Sequence, residues 1–147
     1  MFRRNSVVNA PLYTTEILRL AASLTDVRNL DREDGRAELR SPTCGSRITI
    51  SVELDADRRI RGISQQVHAC AFGQASAAIL EQNAIGRAHD EVAEALVTVS
   101  RWLAKEQEEF GDWPGLDALA PARPRKSRHG AILLPFRALL AAIESAR

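Results

Sequence analysis

The clearest pattern in the chain is the alternation between residues 48 and 54. Ile48, Ile50, Val52 and Leu54 interleave with Thr49, Ser51 and Glu53, which predicts a strand with one buried and one wet face. Asp55-Ala56-Asp57-Arg58 reads as a turn, and Arg59 to Val67 as the returning strand. Its alternation slips near Gly62, because Ile60 has one parity and Ile63 and Val67 the other; a bulge accounts for the slip. A weaker strand, Arg36 to Ser41, precedes the loop Pro42-Thr43-Cys44-Gly45. Together these predict a three-stranded antiparallel meander.

Helical periodicity brackets the strands. Pro11 to Leu24 predicts a first helix, with proline in its opening turn and Ile17, Leu20, Ala21 and Leu24 on one face. Asp26 to Gly35 is a solvated connection. Cys70 to Ile85 is crowded with small residues, which allows close helix packing, and Gly86 offers a C-terminal cap. From Asp90 to Gln107, Val92, Leu96, Val99 and Leu103 form an amphipathic stripe, with Glu91 near the positive end of the dipole. Phe110 to Ser127 reads as a loop rich in glycine and proline. A last helix covers Ala131 to Ser145, in which Pro135 is tolerated only in the opening turn. The expected fold class is α+β, a single domain over 1–147 with helices on one face of a three-stranded antiparallel sheet.

Composition narrows the function without naming it. Twenty Lys+Arg against nineteen Asp+Glu leave a net charge of +1, so no strong overall field favours nucleic acid or an anionic membrane. Aromatics at 5% are too sparse for a base-stacking platform. No run approaches the roughly 20 apolar residues that cross a bilayer, and no secretory leader is visible. Two cysteines are too few for a disulfide scaffold. The expected setting is reducing and cytoplasmic, with both thiols free or bound to metal.

Those cysteines are the candidate chemistry. Cys44 sits in a tight interstrand loop, and Cys70 stands where a strand gives way to a helix, whose unpaired N–H groups favour thiolate over thiol. The alternative for each is a buried, inert small hydrophobe. His129 opens the last helix, and Cys44, Cys70 and His129 would make a three-donor set with an open position, although their spacing alone is not diagnostic. His68 could share a face with Cys70, but the structural reading outweighs ligation. His89 reads as solvated, and so does the basic run Arg123, Arg125, Lys126 and Arg128. Phosphate loops, nucleophile elbows and zinc-protease motifs are absent.

Pro42-Thr43-Cys44-Gly45, the alternating strand after it, and Ala69-Cys70-Ala71-Phe72-Gly73-Gln74-Ala75-Ser76-Ala77-Ala78 resemble the NifU N-terminal, IscU and SufU family of iron–sulfur assembly proteins. The resemblance runs over nearly the whole chain, and the long stretch before the last helix is closer to the SufU branch. It implies an α+β sandwich that holds iron, a nascent [2Fe-2S] cluster or zinc on three cysteines at one end. It also implies a cysteine desulfurase as sulfur donor and apo-proteins as recipients. Cys44 and Cys70 match the first two family cysteines. Ser46 stands where the family has an aspartate, Gly130 where it has the third cysteine, and His129 matches the histidine beside that cysteine. The chaperone motif of IscU would fall on Arg123 to Ser127, where only Pro124 agrees.

The resemblance thus leads to a non-enzymatic scaffold or carrier that binds iron or a labile cluster through Cys44 and Cys70 with help from His129, as a monomer or weak homo-oligomer. The alternatives are a persulfide acceptor serving a cysteine desulfurase, zinc-bound in the SufU manner, and an adaptor without metal.

Overall fold

The computed structural model describes residues 13–42 and 45–146, so Cys44 lies outside the described residues, as does Pro11. Three strands, β1 (Gly35–Arg40), β2 (Arg47–Leu54) and β3 (Ile60–His68), pair antiparallel in the order β1-β2-β3. The slip near Gly62 is a bulge: Glu53 pairs with Gly62 and Leu54 with Ile60, which leaves Arg61 as the extra residue. Among the described residues four α-helices accompany the sheet: α1 (Thr15–Ser23), α2 (Ala71–Asn83), α3 (His89–Leu103) and α4 (His129–Ser145).

Parity along the strands decides which face the helices cover. Ile48, Ile50, Val52 and Leu54 are buried, together with Ile63 and Gln65 opposite them, and α4 packs on β1 and β2 over this face. Gln65 donates from Nε2 to the Ala77 carbonyl of α2 at 3.0 Å. The approach of α4 to β1 is close enough to require glycine, since a Cβ on Gly35 would lie 2.0 Å from the Ala142 carbonyl oxygen. Residues 25–34 run over the opposite, polar face. There the Arg28 N–H donates to Ser64 Oγ, Ser51 Oγ donates to Glu33, and Asp34 accepts from the Leu54 N–H. The neighbouring Arg32 guanidinium and that N–H together hold the Asp34 carboxyl below its ordinary pKa.

Helix ends differ from the periodicity in instructive ways. Helix α1 begins at Thr15 because the Thr14 hydroxyl accepts the Ile17 N–H at 3.1 Å, a cap the apolar pattern does not reveal. Helix α2 stops at Asn83, and Gly86 serves the sheet instead, donating its N–H to Ile60 at 2.8 Å. Glu91 reaches back to the Ala88 N–H, which together with Arg59 lowers its pKa.

Two expectations are corrected. Residues 110–127 are not a plain loop: Leu116–Ala122 forms a 3-10 helix whose Leu116, Ala118, Leu119 and Ala122 are buried. Trp113 joins it in the core, donating from its indole to the Ile79 carbonyl at 3.1 Å and stacking edge-on against Phe136. The glycines and prolines that suggested a loop bound a compact core element. Pro135, in turn, lies well past the opening turn of α4. It has no N–H for the Ala131 carbonyl, and the next carbonyl, Ile132, accepts from the buried Ser76 hydroxyl at 2.6 Å. Helix α4 is buried on nearly every side, and its packing against sheet, α2 and α3 overrides the cost of the proline.

Candidate functional site

The site is built at the end of the sheet where β1 leaves, β2 enters and β3 finishes. Arg40 pairs with Arg47, and Arg47 with His68, so the loop 41–46 and the step from His68 into α2 share that end. Ser41 closes its loop by donating its N–H to the Ser46 carbonyl at 2.8 Å. Cys44 belongs to this loop. Ser46, two residues after Cys44, is buried.

Cys70 is the N-cap of α2, in extended conformation with φ −67° and ψ 172°. Its carbonyl accepts the Gln74 N–H at 2.9 Å, while its thiol makes no capping hydrogen bond and remains partly exposed. Gln74 Nε2 fastens the preceding residue by donating to the Ala69 carbonyl at 3.0 Å. Strand β3 ends at His68, so the shared-face argument for His68 and Cys70 does not extend to the cysteine.

The small residues of α2 bring its opening turn against that of α4. A Cβ on Gly73 would lie 2.6 Å from Ala69 Cβ and 3.3 Å from both Cβ and carbonyl oxygen of Ala131. Gly130 and His129 are the residues immediately before Ala131. The His129 ring places Nε2 2.9 Å from the Arg123 carbonyl oxygen and 3.1 Å from that of Ala122. Two carbonyl acceptors put a proton on Nε2, so in the neutral ring Nδ1 is the nitrogen with the lone pair. A metal-binding histidine commonly donates its other N–H to a backbone carbonyl in this way. Among the described residues no group of three His, Cys, Asp or Glu side chains gathers to hold a metal; the expected set includes Cys44, which lies outside them.

Other sequence-based assignments change. Arg123 is not solvated: its guanidinium is mostly buried, donates to the carbonyls of Trp102 at 2.8 Å and Gln107 at 2.7 Å, pairs with Glu108 and lies over the Trp102 ring. It clasps the end of α3 to the segment that feeds α4. The place of Arg123 in a basic run gave no signal of this. His89 is not simply solvated either, since it bridges Asp90 at 3.0 Å and Glu144 at 2.8 Å. A cavity of about 270 Å³ lined by Arg87, Glu91, Thr98, Phe110 and Trp113 has neither Cys70 nor His129 in its wall.

A meander with its helices on one face, and a cysteine capping a small-residue helix at the sheet end, define a recognisable class of domain. The chain belongs to the family of NifU-like N-terminal domains, whose sequence model matches residues 12–109. Among solved structures it is similar to a nitrogen-fixing NifU-like N-terminal protein from Brucella abortus, with 29% identity, a TM-score of 0.82 and coverage of 91% of this chain and 93% of that one. The fold is also that of a putative SUF-system iron–sulfur scaffold from Fervidobacterium islandicum, at 20% identity and TM-score 0.77, covering 92% and 98% of the two chains. No curated protein sequence matches the chain. Among the described residues, no helix is long and apolar enough to cross a membrane.

Proposed function

We propose that this protein is a non-catalytic scaffold of iron–sulfur cluster assembly, which takes its cargo at the sheet end on Cys44 and Cys70, with His129 as a further donor through Nδ1. Family membership and likeness to NifU-like and SufU structures support the general role. The observation that carries the local reading is the strand register. By pairing Arg40 with Arg47 and Arg47 with His68, it puts the strand ends on either side of residues 41–46 next to the end of β3, which supports a common site for Cys44 and Cys70. Close packing of Gly73 on Ala131 brings up the start of α4.

The donor set shapes the cargo. A [2Fe-2S] cluster takes four strong donors, and Ser46 and Gly130 supply neither carboxylate nor thiolate. A cluster held here is therefore labile and completed by an outside ligand, which suits transfer to recipient apo-proteins. Zinc on two thiolates, an imidazole and water is the alternative cargo. Anaerobic reconstitution with ferrous iron and sulfide tests the reading. Visible cluster absorption is expected in the wild type, absent from Cys44→Ala and Cys70→Ala and weakened in His129→Ala. A colourless wild-type product without bound iron overturns it.

A second reading draws on the partly exposed Cys70 thiol, which makes no capping hydrogen bond. In this reading the Cys70 thiolate attacks the outer sulfur of a desulfurase persulfide. A new S–S bond forms on Cys70, the old one breaks, and the desulfurase cysteine leaves as thiolate. A mass increase of one sulfur on Cys70 under turnover supports this route; unmodified cysteines under turnover exclude it.

A further inference from the structure

The net charge of +1 hides a local surplus of positive charge at the cysteine end. The segments that meet at the cysteine end, residues 39–50, 65–80 and 118–136, carry Arg40, Arg47, Arg123, Arg125, Lys126 and Arg128 and no Asp or Glu, with Glu38 the nearest acid on the exposed face of β1. The opposite end is mixed: Asp34, the Asp55–Asp57 turn, Asp90 and Glu144 lie there together with Arg32, Arg58, Arg59 and Arg87. Arg58, next to that turn, donates to the Ile143 carbonyl, and His89 reaches Glu144, so the C-terminal end of α4 belongs to this mixed end. The N-terminal turns of α2 and α4, whose dipoles are positive there, belong to the basic one.

Stability does not explain the basic end. Arg40 and Arg47 are direct cross-strand partners, and His68 extends the row on the same polar face. Like charges directly opposite one another in a ladder are destabilising. Both arginines are exposed, and among the described residues neither they nor Arg125, Lys126 and Arg128 form an ion pair. Arg123 alone of the group is committed internally.

We infer that Arg40 and Arg47 at the sheet end, with Arg125, Lys126 and Arg128 just ahead of α4, form a cationic rim that docks an acidic protein surface. The inference rests on the scaffold reading for the partner's identity: the protein that exchanges sulfur or iron with this end carries the complementary carboxylates. Opposite potentials steer the encounter and orient it so that the partner arrives over the cysteines rather than at the opposite end, where acids and arginines offset one another. A rim of this kind acts mainly on the association rate and fades as salt shortens the Debye length.

The test measures association with the cognate cysteine desulfurase and with poly-L-glutamate across a salt series. The double variant Arg40→Glu/Arg47→Glu is expected to associate with the desulfurase at least about tenfold more slowly at low salt, with the difference closing near 0.5 M salt. Arg40→Gln/Arg47→Gln removes the like-charge pair without adding charge, so it is expected to be at least as stable as the wild type and still slower to associate. Arg19→Glu, on exposed α1, leaves the rate unchanged. Equal rates and equal salt dependence in wild type and both double variants overturn the rim. If the wild type ignores the desulfurase but binds poly-L-glutamate in an arginine-dependent way, the rim stands and the desulfurase partnership falls. Binding to neither overturns the rim, as does a preference for single-stranded RNA or phosphatidylglycerol vesicles over both acidic probes.

Discussion

The hydroxyl of Ser76, in the middle of α2, donates a 2.6 Å hydrogen bond to the carbonyl of Ile132 in α4, three residues before Pro135. Both partners are fully buried, so water cannot replace the bond. Ser76→Ala is expected to cost about 0.5–1.5 kcal/mol, the net worth of one buried hydrogen bond, because the N–H of Phe136 still faces the Ile132 carbonyl within the helix. Urea unfolding of wild type and variant measures the loss.

Gly73 fixes the spacing between the two helix starts that flank Cys70 and His129. In Gly73→Ala the helix gains about 1 kcal/mol of propensity, but the new methyl meets Ala69 Cβ at 2.6 Å and Ala131 at 3.3 Å. Overpacking of about 1–3 kcal/mol outweighs the gain. We expect a net loss of stability and a loss of iron retention in reconstituted protein. Retention unchanged from wild type would show that the helix spacing does not govern the site.

Arg123 ties the last turn of α3 to the turn whose carbonyls hold His129. Lysine keeps the charge but cannot serve Trp102, Gln107 and Glu108 at once. Arg123→Lys should destabilise by about 1.5–3 kcal/mol, whereas Arg125→Lys stays within about 0.5 kcal/mol. Thermal unfolding distinguishes them. The His129 Nε2–H, protected in the wild type, should exchange faster with water in Arg123→Lys.

The bridge from His89 to Glu144 and Asp90 raises the histidine's pKa above 6.5, with Glu144 the larger cause. A raised folded-state pKa contributes stability that is complete below the unfolded value and disappears as pH climbs through the folded one. The wild type should therefore exceed His89→Gln in stability at pH 6, and the gap should close in alkaline buffer. His89 is 41% exposed, which limits the gap to below about 1 kcal/mol. Denaturation midpoints of both proteins at several pH values check the direction.

The meander was legible because strand parity is a local signal: Ile48 to Leu54 alternate in sequence as they do in burial, and the parity slip near Gly62 is the bulge at Arg61. The stripe of α3 was legible for the same reason, since Val92, Val99 and Leu103 recur at helical period. Local reading failed where a distant partner changes what a residue can do. Pro135 lies within a helix because α2 and the sheet enclose it, Leu116–Ala122 is core because Ile79 and Phe136 lie beneath Trp113, and Arg123 is a clasp because Trp102 lies under it.

The chain's own order of apolar and polar residues thus determined the strands, most of the helices and the candidate cysteines, since each depends on neighbours within a few positions. Tertiary structure alone decided that Arg40 faces Arg47, that α2 and α4 start side by side at Gly73 and Ala131, and that His129 spends its Nε2 proton on Ala122 and Arg123. These are meetings of residues distant in sequence or set by the path of the chain, and only burial and pairing of the folded elements bring them within hydrogen-bonding or van der Waals range.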